Sequence, residues 1–228
     1  MKNLEIACFN YESALIAEQG GANRIELCSS YSVGGLTPEM ATLKKTLSKV
    51  NIDVFVMIRP RAGNFVYTQL EFEQMKATIK SFKSLGISGF VFGILDKASE
   101  VNMEQNKELV QLANPLPCSF HRAYDRTTNS LIALEQIINC GFKAILTSGS
   151  KATAIEGISE LKILVEKSKN RITIMPGGGV RSSNIKLLAE QLNSNWFHSS
   201  AISDHSQFAN LQEVIDLKEG LGSTQNPQ

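Results

Sequence analysis

Residues able to do chemistry cluster just after short apolar runs in this sequence. His121 follows one such run in FHRAYDR (120–126), and His198 follows another in WFHSS (196–200). In RIELC (24–28), Arg24, Glu26 and Cys28 alternate with aliphatic residues, so they share one face of an extended chain. A carboxylate and an imidazole brought together can exchange a proton near neutral pH. Glu26 and His121 are therefore candidates for acid–base work, with Asp125 as the group that would orient the ring. Paired guanidiniums suit a carboxylate or phosphate, and Arg59 and Arg61 flank Pro60 in RPRAGNFVY (59–67). Glycines let backbone N–H groups approach an anion ahead of a helix. Gly177, Gly178 and Gly179 in PGGGVRSSN (176–184), with Ser199 in HSSA (198–201), thus extend the expected anion site. Soft ions such as Cu(I) prefer thiolate, thioether and imidazole. Cys28, His121 and His198, with Met57 and Met175, are the residues that could hold one. A single thiol does not by itself specify copper. His205, in a polar loop, has the weakest case of the three histidines.

These residues need a scaffold that gathers them. Strand-like runs occur at 4–8, 24–27, 53–58, 89–94, 117–120, 143–147, 171–175 and 195–198. Helix-like stretches lie between them at 11–19, 38–49, 71–85, 103–113, 130–140, 156–168 and 184–192, with a weaker one at 207–219. Asn10, Thr37 and Asn184 are expected N-caps, with Pro38 at a first helical position. Gly20, Gly86 and Gly141 follow helix ends, where a left-handed residue is wanted. Eight strand–helix units in about 200 residues point to a closed (β/α)8 TIM barrel, an α/β fold. One domain is expected over 1–219, with a flexible tail at 220–228.

Alternation along each strand sorts side chains into helix-facing and interior sets. Glu5, Ala7, Arg24, Glu26, Cys28, Phe55, Met57, Arg59, Ser119, His121, Thr173, Met175, Trp196 and His198 are expected inside, and Thr147 with Ile145. Interior charges must pair, so Glu5 and Arg24, deeper in their strands, read as a structural ion pair. Cys8, Cys118 and Cys140 read as ordinary buried thiols.

Composition removes whole classes of function. The chain has 228 residues, 43% hydrophobic and 20% charged, which excludes a disordered segment. Its net charge of +1 gives no basic field for nucleic acid or an anionic membrane. Four cysteines without a C-x-x-C pair match neither a disulfide scaffold nor a zinc pattern. With no signal-like or membrane-spanning stretch, a cytoplasmic protein is expected. There is no G-x-S-x-G, no strand-ending lysine for a Schiff base and no carboxylate cluster for Mg²⁺.

Six segments taken in order resemble the CutC family of copper homeostasis proteins: GGANRIELCSS (20–30), VGGLTP (33–38), VFVMIRPRAGNFVY (54–67), FHRAYD (120–125), ILTSG (145–149) and IMPGGGVRSSN (174–184). The resemblance implies a cytoplasmic barrel, a homo-oligomer (dimer or tetramer), and binding of copper as Cu(I) with Cys28 as a ligand. Relatives often carry an inward cysteine at the position of Ala7. Here Cys8 stands one residue further on, which places its thiol on the opposite face. Two functions follow as expectations. One is a copper-binding homeostasis protein using the Cys28 thiolate with His121, His198 or a methionine. The other is a barrel enzyme acting on a small anionic substrate, phosphorylated ones included.

Overall fold

A computed structural model describes residues 2–204 and 206–222. Strands and helices alternate along it: β1 (Asn3–Cys8), α1 (Tyr11–Gln19), β2 (Arg24–Leu27), α2 (Met40–Leu47), β3 (Asp53–Met57), α3 (Gln69–Lys83), β4 (Gly89–Phe92) and α4 (Met103–Ala113). The second half continues with β5 (Cys118–Phe120), α5 (Ser130–Cys140), β6 (Ala144–Thr147), α6 (Ile158–Ser168), β7 (Thr173–Pro176), α7 (Ser182–Gln191), β8 (Trp196–Ser199) and α8 (Leu211–Gly222). Short 3-10 turns lie at Tyr31–Val33 and Arg122–Arg126. All neighbouring strands run parallel, in the order β7-β6-β5-β4-β3-β2-β1-β8. The expected (β/α)8 barrel is thus present and nearly closed. Seven ladders hold it. At the eighth seam, between β7 and β8, the Ser194 hydroxyl donates to the Ile174 carbonyl.

The pleat explains the two cores. Residues in register across parallel strands point the same way, so Glu5 lies beside Arg24 and His198, and Glu26 beside Ala7 and Phe55. The opposite set, including Ile6, Ile25, Val56, Phe120 and Phe197, packs against the helices in one continuous apolar core. Inside, Cys28, Phe55, Met57 and Val91 form a second, smaller cluster.

The pleat corrects one expectation. Ser119 pairs with Ala144 and Phe120 with Ile145, so Ile145 joins the helix-facing core and Thr147 shares its side. Ala144 and Leu146 point inward instead. In AILT both alternate sets are largely apolar, so polarity could not choose between them. The Thr147 hydroxyl is satisfied by donating to Asp125 Oδ1 at 2.5 Å.

Caps and ends shift similarly. Asn10 caps α1 as expected, its Oδ1 accepting from Ser13 N–H at 2.7 Å. Thr37 does not cap α2, which starts after Glu39; its hydroxyl oxygen accepts from the Arg59 N–H instead, at 2.8 Å. Asn184 sits inside α7 and reaches back to accept from the Arg181 N–H at 3.0 Å. Gly141 is left-handed at φ 96°, but Gly20 has φ −79° and Gly21 takes the left-handed turn at φ 85°. Helix α8 extends through Gly222, past the expected start of the tail. Residues 223–228 of that tail lie outside the described residues.

Tight packing inside the barrel has a measurable consequence. A Cβ on Gly89 would lie 2.5 Å from the Phe55 ring, which is itself buried. Gly89→Ala is expected to cost about 1–3 kcal/mol by overpacking, read as a lower urea midpoint. Adding Phe55→Leu should recover much of that loss, and a double variant no better than the single would refute this packing account.

Candidate functional site

The floor of the barrel mouth is a buried ionic relay. Arg24 Nε donates to Glu5 Oε2 at 2.5 Å, and His198 Nδ1 lies 2.7 Å from Glu5 Oε1. His198 Nε2 then faces Glu26 Oε2 at 3.6 Å. The Arg24 guanidinium is held between the Phe55 and Trp196 rings, 4.0 Å from each centroid. The expected Glu5–Arg24 pair is therefore real, and it recruits His198.

Charge in this relay is asymmetric. Burial alone would raise the Glu5 carboxyl, but Arg24 and His198 outweigh it and hold it down to about 2. Glu26 has only the more distant His198 at 3.6 Å to oppose burial. Burial, with the Glu5 charge adding to it, pushes Glu26 up to about 7. Burial opposes a charge on His198, yet the Glu5 hydrogen bond and both carboxylates raise its pKa above the ordinary value. Glu26 thus titrates near neutrality beside a His198 whose pKa is raised, as acid–base work requires. One ligand atom from each of Glu5, Glu26 and His198 falls within 4.8 Å of the others. The Arg24 cation bound to Glu5 opposes a metal ion there.

Above the floor opens a cavity of about 1240 Å³, ringed by the loops after the strands. Cys28, Met57, Arg59, His121, Glu26 and His198 all line it. Gly35, at φ 92°, packs closely against two sulfur-bearing side chains. A Cβ there would lie 3.3 Å from Cys28 Sγ and 3.5 Å from Met57 Cε. Burial and the neighbouring Glu26 push the Cys28 thiol well up, so it carries its proton when metal-free. Met175 is engaged lower down, accepting from Arg24 Nη2 at 3.7 Å.

His121 is a different kind of residue from the one expected. Its Nδ1 accepts from the Ala123 N–H at 3.3 Å, and its ring packs on Phe65 at 4.8 Å. Burial, then the Arg59 charge, lowers its pKa to about 3. The ring is neutral, and with Nδ1 accepting, the proton sits on Nε2. His121 therefore offers the cavity a donor, and binding a metal at Nε2 would cost it the Ala123 contact.

Asp125 does not orient His121. It accepts from Thr147 Oγ1 at 2.5 Å, Arg122 Nε at 2.8 Å, Ser148 Oγ at 3.1 Å and the Ser150 N–H at 3.1 Å, pinning the loop after β6 to the turn after β5. Asp125→Ala should therefore cost about 3 kcal/mol through orphaned donors. It should also speed hydrogen exchange at the Ser148 and Ser150 amides. Unchanged exchange there would show the pin to be idle.

The expected anion site is not assembled. Arg59 spends Nη1 on the Val33 and Gly35 carbonyls at 2.8 and 2.9 Å, and Nη2 on the Gly63 carbonyl at 3.2 Å. Arg61 turns away to Glu71, at 2.6 Å, and to the Val66 carbonyl. Gly177, Gly178 and Gly179 are not part of the cavity wall. Gly178 instead packs on Arg122, whose Nη1 would be 2.9 Å from a Cβ. Ser199 donates to the Val180 carbonyl at 2.7 Å. The cations that do reach the cavity rim are Arg122, Arg126 and Lys151. Arg122 and Arg126 stand inside FHRAYDR, so that motif carries two guanidiniums as well as the histidine. Cys8, Cys118 and Cys140 are buried, as expected. His205 lies outside the described residues.

The model of the CutC family matches residues 2–203. The chain belongs to the CutC family. This CutC chain is 44% identical over 200 residues to the human copper homeostasis protein cutC homolog, covering 88% of this chain and 73% of that one. It is 46% identical over 202 residues to the family protein CutC of Proteus mirabilis, covering 88% and 80% of the two chains. A crystal structure described as a copper homeostasis protein CutC from Streptococcus agalactiae superposes with a TM-score of 0.83 at 33% identity. That match covers 88% of this chain and 99% of the other. Among the described residues no helix is long and apolar enough to cross a membrane.

Proposed function

We propose that this CutC chain serves copper homeostasis by holding one Cu(I) ion at the barrel mouth, on the Cys28 thiolate with the Met57 thioether beside it. The observation that carries the reading is that Cys28 Sγ and the Met57 terminus stand side by side against the Gly35 backbone, on residues that line the cavity. Thiolate and thioether are the donors that select Cu(I) over harder ions. The names of the human and bacterial relatives support copper as the ion. His121 and His198, expected as further ligands, do not fit as well. His121 presents an N–H, and His198 is engaged by Glu5 and faces Glu26. A reducing cytoplasm suits this site, because Cu(I) and a free thiol both persist there. The dimer or tetramer implied by the family belongs to the same proposal.

Cu(I) must displace the Cys28 proton, so binding releases a proton and weakens as pH falls. Anaerobic titration against a competing chelator tests the site, with light scattering reporting the oligomer. One ion per chain is expected, lost in Cys28→Ser and weakened at least tenfold in Met57→Leu. Binding that survives Cys28→Ser would place copper elsewhere on the chain.

A further inference from the structure

Besides Arg59 Nε, two buried polar atoms on the cavity wall have no hydrogen-bond partner among the described residues: His121 Nε2 and Glu26 Oε1. Both residues are at least nine-tenths buried, at 3% and 2% exposure. An unmet buried polar group is costly, so native sites rarely keep one without a role. The two are complementary in kind. His121 offers a fixed N–H donor, set by its Ala123 contact. Glu26 offers a carboxyl oxygen next to His198. A copper ion on Cys28 and Met57 would satisfy neither.

The rim has a different character. The cavity wall carries Arg59, Arg122, Arg126 and Lys151 against Glu26, Asp96 and Asp125. Asp125 is neutralised by Arg122 at 2.8 Å, and Asp96 is turned to the Ala98 and Glu100 amides. Arg126 and Lys151 therefore face the opening with charge to spare, Lys151 making only a loose 3.5 Å pair with Glu160. A cationic rim over an interior that offers a donor and an acceptor sorts a ligand end to end.

We propose that the mouth cavity binds a small polyhydroxylated oxyanion. Its anionic head lies at Arg126 and Lys151, and its hydroxyl-bearing body reaches His121 Nε2–H and Glu26. The volume, about 1240 Å³, accommodates a metabolite of that size beside the sulfur pair. The anionic head is a carboxylate or a phosphate; the pocket chemistry is shared by both. None of the residues that hold this ligand is Cys28 or Met57, so variants can separate its loss from the loss of copper.

Calorimetric titration of the full chain in copper-chelated buffer tests the assignment, with gluconate as the carboxylate probe and ribose 5-phosphate as the phosphate probe. One saturable equivalent per chain is expected for at least one probe. Arg126→Ala should weaken it several-fold and flatten its dependence on salt. His121→Phe, which keeps an aromatic ring against Phe65, should weaken it at least tenfold. The chain has three histidines, so the side-chain ¹⁵N–¹H spectrum is sparse, and the His121 Nε2–H signal of the unmutated protein should move on titration. Binding of gluconate alone or ribose 5-phosphate alone identifies the head group. No binding of either probe at 10 mM (roughly the limit of useful affinity) would overturn the proposal. So would binding that leaves the His121 signal in place.

Discussion

Glu5→Gln is expected to destabilise the barrel by about 3–5 kcal/mol, the cost typical of breaking a buried ion pair from one side. The carboxylate accepts from Arg24 at 2.5 Å and holds His198 at 2.7 Å, all at the barrel floor. Glutamine keeps the shape but leaves Arg24 as an uncompensated buried cation. What remains to it is the weak Met175 sulfur acceptor and the pair of rings at 4.0 Å, contacts of the latter kind being worth about 2 kcal/mol when desolvated. Urea unfolding at pH 7 measures the loss. The double variant Glu5→Gln/Arg24→Met should recover most of it, since an apolar replacement of a whole buried pair is often neutral. A single variant within 1 kcal/mol (about a fivefold change in the folding equilibrium) of the unmutated chain would show that the relay does not hold the floor together.

The second large effect is a stability profile that stays level from about pH 6.5 to 4.5 and then falls steeply. His121 has an ordinary pKa of 6.5 and about 3 in the fold. Below pH 6.5 the unfolded chain takes that proton and the folded one does not, so stability falls by about 1.4 kcal/mol per pH unit. Glu26 works in the opposite sense. Its carboxyl titrates ordinarily at 4.5 and at about 7 in the fold, so the fold takes the proton first and gains stability as pH falls to 4.5. The two slopes offset each other over the shared window. Below pH 4.5 Glu26 is protonated in both states and adds nothing. Glu5, lowered to about 2, then begins to lose its contribution while His121 continues to lose its own. The slope there is expected to reach roughly 2–3 kcal/mol per pH unit. His198, whose pKa is raised, is protonated in both states in this acid range; its contribution is lost only as pH rises above 6.5. Urea unfolding at pH 7.0, 5.5, 4.5 and 3.5 traces the profile. Glu26→Gln removes the compensating group, so its stability should already decline from pH 6.5. A level profile in that variant would mean that His121 is not the opposing group.

The fold was readable because the barrel repeats one physical rule eight times. Apolar residues at every second position face the helices, and the polar ones left over face the bore. That rule placed Glu5, Arg24, Glu26, Cys28, His121 and His198 on the interior side, and the cavity and its floor are built from them. It failed at β6, where both faces of AILT are largely apolar. Side-chain partners were less legible than side-chain direction. Arg59 and Arg61 read as anion receptors, yet the first is tied to the Val33, Gly35 and Gly63 carbonyls and the second to Glu71. Loop carbonyls have no signature in residue type. Asp125 was near His121 in sequence but bonds to Thr147 and Ser148, from a strand that follows later in the chain. The His121 tautomer depends on one backbone amide, Ala123, which only coordinates reveal.

The seam between β7 and β8 gives the barrel the mechanics of a split washer rather than a hoop. A hoop widens only by breaking a rung, and each backbone rung resists. A split ring opens at its gap, hinging elsewhere, and here the gap is closed by side-chain clasps, Ser194 to the Ile174 carbonyl and Ser199 to the Val180 carbonyl. His198 stands on one lip of that gap, with Gly177 on the other. Any spreading of the lips is therefore felt first by the imidazole that links Glu5 to Glu26, and the proton-holding floor of the cavity doubles as a gauge of the bore.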